Sequence, residues 1–88
     1  MARLIAERFG ENLRRARRAA GLSQEAVAFR ADLHRTEIGL LERGERTPRI
    51  DTAAKLAGAV GLPAATLLDG IEWEPGSMEP GGFTAGGE

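Results

Sequence analysis

Residues 21–44, GLSQEAVAFRADLHRTEIGLLERG, hold two short helices and the turn that joins them, and reading them decides the fold. Gly21 stops the preceding helix, and Ser23 is a good N-cap because its hydroxyl accepts from the backbone N–H groups that open a helix. Glu25 falls in the first turn, where the helix dipole favours an acid. This helix carries Ala26, Val27 and Ala28 and is expected to end near Arg30 or Ala31. Asp32 then takes a left-handed turn position, which Asp tolerates and Gly adopts more easily. Leu33 docks in the core behind the turn. The next helix opens near His34 or Arg35, turns Ile38 and Leu41 inward, and stops at Gly44.

Towards the N-terminus, Phe9, Leu13, Ala16 and Ala20 recur at i, i+4, i+7 and i+11, which predicts an amphipathic helix from about Leu4 to Ala20. On the other side, Glu45-Arg46-Thr47-Pro48 is a short loop before a fourth helix that begins near Arg49. Ile50, Ala53, Leu56, Ala57 and Val60 are its expected buried stripe, and Gly61 ends it. Pro63 suits the first turn of a short fifth helix containing Leu67 and Leu68, closed by Gly70. The expected fold class is therefore all-α, with five helices and no strand in the main body. A domain over 1–70 and a tail over 71–88 follow.

The tail is short, acidic and mostly irregular, because Pro and Gly dominate it and cannot build a core. Within it, Ile71-Glu72-Trp73-Glu74 alternates apolar and acidic residues, a strand-like pattern. Trp73 is the only tryptophan. Either it folds back onto its own domain, or Ile71 and Trp73 form an arm that contacts a partner protomer or another protein.

At 88 residues the chain has room for one domain. It has no cysteine, which excludes disulfides and thiolate metal sites, and a single histidine, His34, which excludes a histidine-built metal cluster. Neither a metal nor any other cofactor is expected. No apolar run approaches the ~20 residues that span a membrane, and the N-terminus lacks a signal-peptide core, so a cytoplasmic protein is expected. Catalysis is not expected either: there is no tyrosine, no Gly-rich phosphate loop and no pair of carboxylates near a plausible pocket. The net charge of −1 conceals a division. Up to Leu68, twelve basic residues face eight acids, whereas from Asp69 onward five acids face no base. The body is basic, and the tail is acidic.

Gly21-Leu22-Ser23-Gln24-Glu25, Ala31-Asp32-Leu33-His34-Arg35-Thr36-Glu37-Ile38, Leu41-Glu42-Arg43-Gly44 and Thr47-Pro48, in this order and spacing, resemble the lambda-repressor-like (Xre) family of helix-turn-helix regulators. The likeness runs from about Phe9 to Leu68. It implies a five-helix DNA-binding domain, a homodimer, double-stranded DNA as partner, and a transcriptional role such as repression in the bacterial cytoplasm or nucleoid. Operators would consist of two half-sites about one helical turn apart.

On that reading, the helix from Arg35 to Gly44 enters the major groove. With Ile38 and Leu41 inward, the 100° step puts Thr36, Gly39, Leu40 and Arg43 on the opposite face. Arg35, at the N-terminal end, is the first candidate for base readout, since Arg to guanine is the commonest specific contact. Thr36 suits a base edge or a phosphate, and Leu40 suits a thymine methyl. Gly39 is unfavourable inside a helix, which points either to close approach of the DNA or to simple tolerance. Glu37 is expected to reach back as a capping partner to His34, with cytosine N4 as the alternative.

Gln24 matches the family position that clamps a backbone phosphate, beside helix-terminal N–H groups. Arg43 and Arg46 are further phosphate candidates, and Arg49 matches a position that approaches the minor groove in some members. The resemblance also implies an ion pair between Arg17 and Glu42, bridging the first and third helices. Arg14, Arg15 and Arg18 read as a solvated face. Two rival roles remain: an antitoxin-like protein that binds its partner through the tail, and a restriction–modification controller that regulates its own operon.

Overall fold

The computed structural model describes residues 2–73, 75 and 83–85, with side chains described for 4–73 and 75. Five helices follow one another: α1 (Ala2–Ala19), α2 (Gln24–Ala31), α3 (Arg35–Glu42), α4 (Ile50–Val60) and α5 (Ala64–Leu67). Local chemistry sets their ends. Ser23 Oγ accepts from the Ala26 amide at 3.0 Å, as an N-cap should. Asp32 sits at φ 59°, ψ 45°, and its amide and that of Leu33 close the last turn of α2. It is the single non-glycine residue with positive φ among the described residues. The carboxamide and carboxylate side chains pay least for this conformation, which is why an Asp can stand there.

Phe9, Leu13, Val27, Ile38, Leu41, Leu56 and Leu67 are fully buried and form one core, with Leu22, Leu33 and Ile71 packed against its margin. All five helices contribute to it. The alanines at 16, 28, 31, 57 and 59 fill the remaining contacts and let the helices approach closely. Ile50 departs from the expected stripe: it is 90% exposed, and Thr52 turns inward in its place. Ile50 is the first residue of α4, at the rim of the core, where α4 has not yet run under its neighbours. Ala20 is likewise exposed, lying one residue beyond the end of α1.

The tail is more regular than expected where it is described. Strand β1 (Ile71–Trp73) pairs antiparallel with β2 (Phe83–Ala85), with Trp73 opposite Phe83, and both strands lie against α1. The apolar–acidic alternation did mark a strand, but its pairing partner is ten residues away and invisible to a local pattern. Ile71 packs on the domain's own core, and the Trp73 side chain is half-exposed. Glu74, 76–82 and 86–88 lie outside the described residues.

Asn12, buried on α1, ties this end of the chain down. Its Nδ2 donates to the Leu67 and Asp69 carbonyls, each at 2.9 Å, satisfying the frayed end of α5. Replacing it with the similarly sized Leu leaves those carbonyls without a donor, at a cost of about 1–3 kcal/mol. Urea denaturation of Asn12→Leu should therefore show a lower midpoint at unchanged slope; an unaltered midpoint would mean that water serves the carbonyls equally well.

Candidate nucleic-acid interface

α2, the Asp32–His34 turn and α3 form a unit whose placement on α1 depends on two close backbone contacts. A Cβ added at Gly10 would fall deep inside the carbonyls of Leu41 and Glu42, 2.7 Å from the latter's oxygen. Only glycine lets the backbone of α1 touch the end of α3. Periodicity did not single out Gly10, because a glycine inside an amphipathic helix carries no hydrophobic signal. Gly44 makes a second such contact: it has φ +72°, and a Cβ there would lie 2.8 Å from Glu7 Cγ.

Beside this contact lies the Glu42 carboxylate, whose side chain has no solvent exposure. Arg17 binds it with two bonds, Nε to Oε2 at 2.6 Å and Nη2 to Oε1 at 3.0 Å, as the resemblance implied. Arg17 Nη1 also donates to the Leu22 carbonyl at 3.0 Å, so one side chain joins α1, the α1–α2 turn and α3. Gln24 Nε2 donates to Oε1 at 3.1 Å, and Arg14 Nε approaches the same oxygen at 3.5 Å. Burial by itself would raise the Glu42 carboxyl. The hydrogen bonds from Arg17 and Gln24, the Arg17 charge and the Arg14 contact outweigh it and hold the carboxyl below its usual range. The hydrogen bond to Glu42 correspondingly raises Arg17, against the opposing effect of burial. Arg14 is thus more than part of a solvated face.

The outer face of α3 presents Arg35 and Thr36, both exposed, at its N-terminal end. Arg35 makes no ion pair or hydrogen bond among the described residues, so its guanidinium is available to a ligand. Leu40 is half-buried, and Gly39 is buried beneath the Arg43 side chain. His34 N-caps α3 without a side-chain hydrogen bond, and Glu37 does not cap it. Glu37 Oε1 instead lies 3.5 Å from Arg46 Nη1, because the α3–α4 loop brings that cation back over the first turn of α3. Arg43 pairs with Glu45 at 2.7 Å and Arg49 with Asp51 at 3.2 Å. Such exposed pairs hold together by little, about 0–1 kcal/mol, so a phosphate can displace the acid from each.

Among the described residues no helix is long and apolar enough to cross a membrane, and no three His, Cys, Asp or Glu side chains gather as a metal site.

Loss of Arg17 tests the buried network. Arg17→Met strands the Glu42 charge with Arg14 and Gln24 alone and should cost about 3–5 kcal/mol at pH 7. In the native protein the lowered carboxyl contributes stability that persists above the ordinary glutamate range and disappears as pH falls through its depressed value. In the variant the carboxyl keeps its burial but loses the Arg17 bonds and charge, so protonation costs it less. Denaturation at pH 7 and pH 4 should show the gap between the two proteins narrowing on acidification; a constant gap would exclude a buried-charge origin.

The family model HTH_3, helix-turn-helix, matches residues 13–67, and the match spans α2, the turn and α3. Control protein C.BamHI of Bacillus amyloliquefaciens is 42% identical over 62 residues, 69% of this chain and 76% of that protein. Control protein C.SmaI of Serratia marcescens is 40% identical over 74 residues, 82% of this chain and 88% of that protein. Among solved structures, the restriction-modification controller protein C.AhdI from Aeromonas hydrophila superposes with a TM-score of 0.69 at 40% identity, over 70% of this chain and 94% of that one. With five helices arranged as in the lambda-repressor-like fold and a matching profile over most of its length, the chain belongs to the HTH_3, Xre-type family of helix-turn-helix proteins, and is a DNA-binding transcriptional regulator rather than an enzyme.

Proposed function

We propose that the protein is a dimeric control protein that reads a two-half-site operator and regulates a restriction–modification operon. The observation that carries the DNA-reading part is the unpaired, exposed Arg35 at the N-terminal end of α3. Base contacts concentrate at that end of a helix lying in the major groove, and a guanidinium with no competing acid is free to fork onto guanine. Thr36 and Leu40 extend the same surface. Gln24 flanks it, and Arg46 and Arg49, whose partner acids are weakly held, supply further phosphate donors. The likeness to C.BamHI, C.SmaI and C.AhdI favours the operon assignment over an antitoxin role.

Dimerisation rests on an apolar groove where α1, α4 and α5 meet, lined by Ile5, Pro48, Ile50, Ala54, Ala64 and Leu68. Ile50 at 90% and Leu68 at 50% exposure are too apolar to be left in water without reason. A second copy is the occupant that fits. The groove adjoins the α3–α4 loop, and a two-fold pairing there is the arrangement that a pair of half-sites requires.

Selection of bound duplexes from a random pool should return two copies of one sequence about 10 base pairs apart, and matches upstream of methyltransferase and nuclease genes. A lone half-site would sink the dimer, and an operator among unrelated genes would sink the operon assignment. In the same assay Arg35→Ala should cost about 1–3 kcal/mol at one guanine per half-site; equal weakening on all sequences would make Arg35 a phosphate contact. Ile50→Glu puts an acid where the α4 dipole welcomes it, so the fold should persist while sedimentation shows a monomer. A dimer that survives this change pairs through another surface.

A further inference from the structure

Gly39 and Arg43 lie one turn apart on the outer face of α3. The atoms nearest to a Cβ added at Gly39 all belong to Arg43: Nη1 at 3.0 Å, Cζ at 3.8 Å and Nη2 at 3.9 Å. The guanidinium therefore lies back along the helix, over the place that a side chain at position 39 would occupy. Its Nε donates to Glu45 Oε2 at 2.7 Å. Nη1 and Nη2 have no acceptor among the described residues, and the side chain remains 53% exposed.

These contacts bear on what Arg43 can recognise. By its position in the chain it belongs to the C-cap of α3, far from the helix end that reads bases. Folding back over Gly39 carries its charge towards the middle of the helix, level with the residues between Thr36 and Leu40. The bond from Nε to Glu45 takes up that nitrogen and leaves the terminal pair of N–H donors for two parallel bonds. Glu45 also cancels the local charge, which weakens the side chain as a phosphate ligand but leaves directional hydrogen bonding intact. The glycine, unfavourable for the helix, leaves this path open, whereas a side chain at 39 would press on the guanidinium.

We propose that Arg43 is a second base-reading arginine, laid over Gly39 and oriented by Glu45, with guanine O6 and N7 as its acceptors. This rests on the reading of α3 as the helix in the major groove.

The test is the selected operator and its single-base variants, bound by the full chain and by Arg35→Ala, Arg43→Lys and Gly39→Ala. Lysine keeps the charge and loses the fork. Arg43→Lys should lose about tenfold in preference at one guanine per half-site, distinct from the guanine lost in Arg35→Ala, with the salt dependence unchanged. Gly39→Ala should flatten that same position by displacing the guanidinium, while its melting temperature holds or rises. Uniform weakening by Arg43→Lys, binding like that of the native protein, or effects of the two variants at different positions would each overturn the proposal. If the native protein shows no base preference and Arg35→Ala changes nothing, the reading of α3 fails as well. If Arg35→Ala alone is position-specific, only the role of Arg43 fails.

Discussion

The buried Glu42 carboxylate is the constraint from which the DNA-binding surface takes its shape. A charge without solvent contact persists in a small helical domain only if donors surround it, and here they come from three residues on two helices. Arg17 and Arg14 arrive from α1, and Gln24 from the first turn of α2. The carboxylate therefore sets the distance between α3 and the helices that hold it. Gly10 makes the arrangement possible by letting the α1 backbone reach the end of α3. A side chain there would separate the helices and leave the charge without its partners.

The same oxygen links stability to binding. Gln24, proposed above as a phosphate ligand, has its amide oriented by Glu42 in the free protein. A side chain already held in place loses less entropy on binding than one that must be ordered by its ligand. Around it, acids neutralise cations at close range: Glu37 with Arg46, Glu45 with Arg43, Asp51 with Arg49. The protein approaches DNA with a modest net field, and its arginines are arranged by neighbours within the chain. On α3, Arg35 has no such neighbour among the described residues.

Much of this was legible in the residues. The caps at Ser23 and Asp32, the inward pair Ile38 and Leu41, and the helix stops at Gly21, Gly44 and Gly61 rest on interactions within a few residues. Such interactions leave a mark in any local window, and the motifs from Gly21 to Pro48 carried the family with them. Where the expectation failed, the missing term was a long-range one. Ile50 fitted the spacing of a buried stripe, but at the first position of α4 it lies outside the core, and Thr52 turns inward instead. Glu37 stood where a capping box would place it, yet a cation from the following loop claimed it. Asn12 looked like an ordinary polar residue on a helix, because its partners lie at Leu67 and Asp69.

The sequence by itself determined the helices, the turn between α2 and α3, and the face of α3 turned from the core, since spacing and capping act over one or two turns. Tertiary structure alone decided which side chains meet across the chain. It buried Glu42 among four donors, seated Ile71 on the core and left Ile50 in water. It also laid Arg43 over Gly39, with Nη1 close to the place a Cβ would occupy. The reason is physical: helix formation depends on near neighbours, whereas desolvating a charge or exposing an apolar side chain depends on how whole elements come together.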